Sequence, residues 1–344
     1  MKSETRYTAV VPSNIALIKY WGKKDGHRQL PSNDSISMTL ATSTTQTTTQ
    51  IIDSGSFQIF YDNHQLFESD PFAKKIFAHL KVLAKELNFK SKLSIKTKNS
   101  FPSSCGIASS ASGMGALTLS SVAAWSDSHS LKDLEERGFY LEKLAKLARL
   151  GSGSACRSFW GGMVHWQTGE SENLQLVKQL HPNTHWDLSD IIVIVSKKSK
   201  SLPSSQGHLS AQSSSLFRPR VASIPSRIAD IKLALEEKDF HSLGRIIEQD
   251  SNEMHAVMMS SSPAINYYQK ETIDFLEWFK FHRFKHNTPA YTTLDAGPNI
   301  HVICESKNAN SIKEQIRDQF PNYEILLDHI GTGPTLYTET KEIS

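Results

Sequence analysis

The chain has 344 residues, 38% hydrophobic and 21% charged, with a formal net charge of +3. That length supports a large core shared between two domains or lobes, and the composition is that of an ordinary soluble protein. Dispersed Lys and Arg give no basic stripe for nucleic acid. The first ten residues carry charges and no apolar signal-peptide core, and the longest strongly apolar run, residues 191–195, is too short to cross a membrane. Cys105, Cys156 and Cys304 are widely separated and odd in number, so neither a disulfide framework nor a CxxC site follows. A cytoplasmic location is expected, with these thiols filling space rather than acting as nucleophiles.

Strand-like residues occupy 6–11 and 35–50, the latter rich in Thr, Ser and Ile. Residues 57–61 and 65–67 flank Asp62-Asn63-His64 as a hairpin. Asp70 is expected to cap a helix with Pro71 at its first position, whose apolar stripe is Phe72, Ile76, Phe77, Leu80, Leu83 and Leu87. A strand at 93–98 leads into a glycine- and serine-rich run, 101–115, and then a small-residue helix. One helix is expected over 131–150, with Leu134, Leu141, Leu144 and Leu147 inward. Residues 190–196 form a short apolar strand suited to a sheet centre, and polar residues 197–203 are the candidate link between lobes. Helices follow near 225–237, 239–259 and 264–281, then strands at 290–294, 300–305 and 323–327, with a helix between the last two. The irregular mixture favours α+β over a doubly wound sheet. The division expected is 1–196 and 197–344, with the active site in the cleft between.

Four segments carry chemistry. In the 101–115 run, glycines allow close backbone approach, serines donate hydrogen bonds, and a helix N-terminus offers unpaired N–H groups. That is a phosphate site, or else a flexible linker. It is neither a Walker A nor a Rossmann pattern. In the second segment, 14–25, Lys19 and Lys23 are four apart, adjacent on a helix or both near a loop that receives a polyanion. A solvated basic turn beside a buried Trp21 is the plain alternative. In the third, 149–162, Ser152 and Ser154 can donate to phosphate oxygens and Arg157 offers a fork for a carboxylate, or the dense glycines make a tight structural turn. In the fourth, 290–299, Asp295 at a strand end points into a cleft or caps the Gly-Pro turn. His282 and His286, four apart, lie among Lys280, Arg283 and Lys285 and read as a solvated basic helix end rather than a metal site.

Pro102-x-x-x-Gly106-x-x-Ser109-Ser110-Ala111 resembles the phosphate loop of the GHMP kinase superfamily. Together with residues 14–25, 149–162 and 290–299, the 250–255 stretch and the Gly331–Pro334 turn, it makes nearly the whole chain, 6–334, resemble the diphosphomevalonate decarboxylases of that superfamily. The resemblance implies a two-lobed α+β fold, with an N-terminal lobe like ribosomal protein S5 domain 2 and a C-terminal α/β sandwich. It implies ATP-dependent decarboxylation of 5-diphosphomevalonate to isopentenyl diphosphate through transient phosphorylation of the 3-hydroxyl, by a homodimer that binds neither nucleic acid nor membrane.

Carried onto this sequence, the resemblance gives Asp295 as the acid near the 3-hydroxyl, Lys19 on the transferred phosphate, and Arg157 with Asn14 on the substrate carboxylate. Tyr20, Lys23, Ser152 and Ser154 correspond to the diphosphate pocket. Ser103, Gly106, Ala108, Ser109 and Ser110 correspond to the ATP site, with Ser110 on the phosphates or on Mg2+. Three details depart from the family pattern. Ser100 replaces an asparagine, Asp34 replaces a neutral residue, and 200–217 lacks the arginine that some bacterial relatives bring to the diphosphate, which leaves the number of cations there open. Two other outcomes stay open: a kinase or decarboxylase acting on mevalonate or its monophosphate, and a non-catalytic binding protein, although the latter would be expected to lose Asp295 or the loop serines.

Overall fold

The computed structural model describes residues 3–102, 109–169, 171, 174–197 and 202–342. Two long strands set the first lobe: β1 (Ser3–Ile18) and β4 (Ser35–Ile52) pair antiparallel along most of their length, with a register shift between Pro12 and Asn14. They belong to an eight-stranded sheet completed by β5 (Gln58–Tyr61), β6 (His64–Leu66), β7 (Lys92–Asn99), β8 (Met163–Gln167), β9 (Leu176–His181) and β14 (Thr335–Glu342). A short ribbon, β2 (Lys23–Asp25) with β3 (Leu30–Pro31), lies between β1 and β4 in the chain.

The second half of β4 alternates buried Thr45, Thr47 and Thr49 with half-buried neighbours, as a strand with one covered face must. Its inner face is hydroxyl rather than aliphatic, and each hydroxyl finds a partner. Thr45 meets Ser112 at 2.7 Å and Thr49 meets Ser120 at 2.8 Å, both on α2 (Ser109–Ser126), while Thr47 meets Thr97 at 2.9 Å. Small residues on both sides let α2 settle close to the sheet. This fixes the N-terminus of α2, where the expected phosphate loop ends.

Helix α1 (Pro71–Glu86) begins where expected, but Asp70 does not cap it. The Asp70 carboxylate accepts from Phe67 N at 2.8 Å, and the proline in the first turn has no N–H to satisfy. The single helix expected over 131–150 is two, α3 (Leu131–Glu136) and α4 (Leu141–Gly151). Gly138 adopts φ +80° between them, a conformation that ends the first helix and is strained for any side chain.

The second sheet is formed by β10 (Leu188–Ile194), β11 (Ala290–Thr293), β12 (Ile300–Glu305) and β13 (Glu324–His329). It is antiparallel, in the order β11-β12-β10-β13. β10 is buried throughout, at the centre, as its continuous apolar run requires. Sheet membership therefore departs from the expected division after residue 196, since β10 belongs to the second sheet and β14 returns to pair with β1. Of the expected link 197–203, residues 198–201 lie outside those described.

One face of the second sheet packs Ile191, Val193 and Val302 against Phe275 and Phe279 of α8 (Lys270–His286) and Ile312 and Ile316 of α9 (Ser306–Gln319). The other face packs Ile192 and Ile194 against Ile224 and Ile228 of α6 (Phe217–Glu237) and Leu243 and Ile247 of α7 (Phe240–Met259). The same cluster includes Ile15, Leu17, Ile36 and Met38 of the first sheet, so one apolar core joins the two lobes. No helix among the described residues is long and apolar enough to cross a membrane.

A buried carboxylate pins this junction. Asp328 of β13 accepts from Ala41 N at 2.9 Å, Thr42 N at 2.8 Å and Ser43 N at 2.8 Å, the amides of the bend in β4. Asp328→Ala leaves these amides without their acceptor and is expected to lower stability by about 3 kcal/mol or more. Chemical denaturation checks this, and a loss under about 1 kcal/mol would mean that water replaces the carboxylate.

Candidate active site

β1 delivers its last residues to the junction of the lobes, and Lys19 follows directly. The chain there is neither helix nor free turn, because every polar group of Lys19 is held. Its N–H donates to Asp250 Oδ2 at 2.6 Å, and its carbonyl accepts from Asn33 Nδ2 at 2.9 Å and Arg220 Nη2 at 3.2 Å. Its ammonium donates to Asp295 Oδ1 at 2.7 Å. The Lys19 side chain is 1% exposed and that of Asp295 is 23% exposed, so the pair is desolvated on one side and open on the other.

Asp250, fully buried on α7, is held in turn by Arg220 at 3.0 Å and Arg227 at 2.7 Å. One helical turn of α7 serves the Asp295 loop as well. Ser251 Oγ accepts from Leu294 N at 2.9 Å. Beyond the loop, Asn299 accepts from Val195 N and Ser196 N at 2.9 and 3.0 Å. Asp295 is thus fixed from both sides, with its carboxylate turned to Lys19.

Arg157 lies in a short 3-10 helix, Gly153–Phe159, and is almost wholly buried. Nη1 donates to Ser35 Oγ at 2.9 Å and Nη2 to Asn14 Oδ1 at 3.2 Å, while Nε has no partner among the described residues. Burial draws its pKa below the ordinary value. Asn14 uses its amide nitrogen on Ser158 Oγ at 2.9 Å. It therefore positions Arg157 through the bond between Asn14 Oδ1 and Nη2.

Lys19, Tyr20, Lys23, Ser110, Ser152, Ser154, Arg157 and Asp295 all line one cleft of about 360 Å³ between the lobes. Ser152 Oγ donates to Ser110 Oγ at 3.3 Å and lies 3.3 Å from Ser154 Oγ, so the serine triplet is contiguous. Ser109 opens α2 beside Ser110. Ser103, Gly106 and Ala108, with Cys105, lie outside the described residues. Cys156 is buried and burial pushes its thiol up to about 12, as it does for Cys304, which makes both poor nucleophiles. His282 turns to Gln315 Oε1 at 2.8 Å, and among the described residues no group of three or more metal-ligating side chains forms.

Several cleft residues carried no sequence motif. Lys75, Ala78, His79 and Val82 of α1 line it at helical spacing, and His208 comes from a short helix, α5 (Ser204–Ser210). Only the spacing of the α1 stripe could have signalled it, and that stripe mixes charged, small and apolar types. Among the described lining residues, four cations (Lys19, Lys23, Lys75, Arg157) face one carboxylate, Asp295. Burial lowers the pKa of Lys23, and the neighbouring Lys75 lowers it further. Lys75 is likewise lowered by burial. Crowded, partly desolvated ammonium groups of this kind await a polyanion.

Two buried histidines make the fold acid-sensitive. Burial lowers both His79 and His255 to about 4, against 6.5 in an unfolded chain. The unfolded state takes up these protons first, so stability present above pH 6.5 is lost as pH falls towards 4. Between pH 7 and 5 the loss is about 2 kcal/mol per histidine. Urea denaturation of His79→Gln should show a shallower fall over that range, and an unchanged slope would remove His79 from the account.

The family model of the diphosphomevalonate decarboxylase-like N-terminal domain matches residues 11–176, and that of the mevalonate 5-diphosphate decarboxylase C-terminal domain matches 190–342. The diphosphomevalonate decarboxylase of Debaryomyces hansenii is 35% identical over 329 residues, 90% of this chain and 82% of that protein. The human diphosphomevalonate decarboxylase is 31% identical over 322 residues, 86% and 76% of the two chains. The crystal structure of mevalonate diphosphate decarboxylase from Staphylococcus aureus superposes with a TM-score of 0.86 at 31% identity, covering 99% of each chain. A structure of MDDEF in complex with MVAPP, AMPPCP and magnesium superposes at 0.88, with 27% identity and coverage of 98% of this chain and 100% of that one. With two-domain matches across its length and relatives of this identity, the chain belongs to the diphosphomevalonate decarboxylase family.

Proposed function

We infer that this protein is an ATP-dependent diphosphomevalonate decarboxylase, and that the cleft between its lobes is the active site. The observation that carries this reading is the Lys19–Asp295 pair, 2.7 Å apart, in a cation-lined cleft at the N-terminus of α2.

The donor set fits a nucleotide triphosphate beside a second phosphorylated substrate. Ser110 at the N-terminus of α2 and Lys19 are assigned to the nucleotide phosphates, and Tyr20, Lys23, Ser152 and Ser154, which line the same cleft, to the diphosphate of the second substrate. The buried Tyr20 hydroxyl has no partner among the described residues, which suits a phosphate acceptor. Magnesium bound with the nucleotide would neutralise charge on the phosphate oxygens, and Ser110, which lines the cleft, would help to hold it.

Asp295 accepts the proton of the 3-hydroxyl, whose oxygen then forms a bond to the γ-phosphorus as ADP leaves. Lys19 keeps Asp295 oriented and balances charge on the transferred group. Breaking the C3–O bond releases phosphate and leaves an electron-poor C3. The C1–C2 pair then moves to form the C2–C3 double bond, and carbon dioxide departs. Arg157, desolvated and fixed by Asn14 and Ser35, orients the carboxylate that is lost. Once Asp295 has passed its proton to the departing phosphate, its carboxylate beside C3 also favours the positive charge that develops there. A cytoplasmic setting agrees with two buried free thiols.

Incubation with ATP, magnesium and 5-diphosphomevalonate should yield isopentenyl diphosphate, with one carbon dioxide and one ADP per substrate. A stable 3-phosphorylated product would make the protein a kinase, and preferred turnover of the monophosphate would change the substrate. Asp295→Asn should lower kcat by about a thousandfold or more while ATP binding persists. Near-normal turnover in that variant would remove Asp295 from the reaction.

A further inference from the structure

His208 lines the cleft from α5, within the 200–217 segment that carries no arginine. Its ring lies 4.3 Å from that of Tyr20 and 4.4 Å from that of Trp21, so its orientation is fixed by packing. Nδ1 accepts from Gly22 N at 3.0 Å. An imidazole that accepts at Nδ1 and is uncharged must carry its hydrogen on Nε2. The ring is uncharged because burial, with Lys23 and Arg157 nearby, holds its pKa well below the ordinary histidine range. Nε2 has no protein partner among the described residues.

We propose that His208 is a specificity-determining residue that donates its Nε2–H to the diphosphate of the substrate. This rests on the reading of the cleft given above and adds a donor to it. The local electrostatics explain why a histidine serves here. Lys75 already depresses Lys23, and Arg157 is already desolvated, so another cation in this wall would raise the repulsion before substrate arrives. An uncharged N–H supplies a hydrogen bond to the anion without that cost. The hydrogen bond that Nδ1 accepts from Gly22 N ties the imidazole to the segment between Lys19 and Lys23.

Two variants separate this role from a purely structural one. His208→Asn can still accept from Gly22 N but is too short to reach as Nε2 does, whereas His208→Gln can place an amide N–H near the Nε2 position and gives up the Gly22 bond. A hydrogen bond to a charged group implies that H208N raises KM for 5-diphosphomevalonate about tenfold or more, with kcat and KM for ATP changing less than about threefold. H208Q should recover most of the loss in KM. The reverse order, with H208N near normal and H208Q impaired, would assign His208 to holding Gly22 alone and overturn the proposal. Equal effects of the two variants, or none in H208N, would also overturn it. Failure of the unaltered enzyme to turn over 5-diphosphomevalonate would instead overturn the substrate reading, and this proposal with it.

Discussion

A lysine ammonium with 1% of its side chain exposed is the constraint on which the rest of this structure depends. Isolating such a charge from water costs several kcal/mol, and only a close, well-oriented partner offsets it. Asp295 is that partner, but it arrives from a different sheet, at the end of β11, while Lys19 follows β1. The two lobes must therefore be held in register for this 2.7 Å contact to form. The Asp250–Arg220–Arg227 network does this for the backbone of Lys19. A buried network of this kind is weak as a source of net stability. Its effect is geometric: removing Asp250 would free the amide of Lys19, deprive Arg220 of its carboxylate and leave Arg227 with Glu253 alone.

Register between the lobes also explains the shared core. Had each lobe kept its own apolar cluster, their junction would be a wet, mobile interface. Instead Ile15, Leu17, Ile36 and Met38 of the first sheet pack with Ile192, Ile194, Ile224 and Ile228 of the second lobe. Close-packed side chains transmit displacement rather than absorb it. Asp328, with its carboxylate on the bend of β4, adds direction to what would otherwise be a non-directional contact.

The parts of this arrangement that could be read from the sequence are those whose cause is local. The apolar run of β10 announced a central strand, and the Thr-rich pattern of β4 announced a strand with a covered face. Lys19, Arg157 and Asp295 lay in segments dense with glycine and unusual polar residues, and the structure gathers them in one cleft. Where a competing local rule existed, the reading slipped. A leucine stripe ran through Gly138, and the left-handed glycine ended the helix. Asp70 stood at an N-cap position, but a nearer amide took its carboxylate. Asn14 was grouped with Arg157 and does bond it, with its amide nitrogen on Ser158. Lys75 and His208 reach the cleft only because distant segments fold together, and no motif within their own helices encodes that.

The hydroxyl seam between β4 and α2 shows how the fold sets the nucleotide end of the cleft. Aliphatic side chains at Thr45, Thr49, Ser112 and Ser120 would bury more apolar area and pack as tightly. They would also leave the helix free to slide or rotate by a fraction of a turn, because dispersion contacts have little directional preference. Paired hydroxyls at 2.7 and 2.8 Å prefer one rotation and one rise. Ser112 lies in the first turn of α2, two residues after Ser110. Fixing its hydroxyl on β4 therefore fixes the direction in which the helix N-terminus and Ser110 face. A phosphate held there must meet Lys19 and Asp295, which are set by a different network, so two independently anchored elements converge on one transferred group. Substituting the seam with valines would thus be expected to disturb the alignment of nucleotide and acceptor before it disturbed the fold.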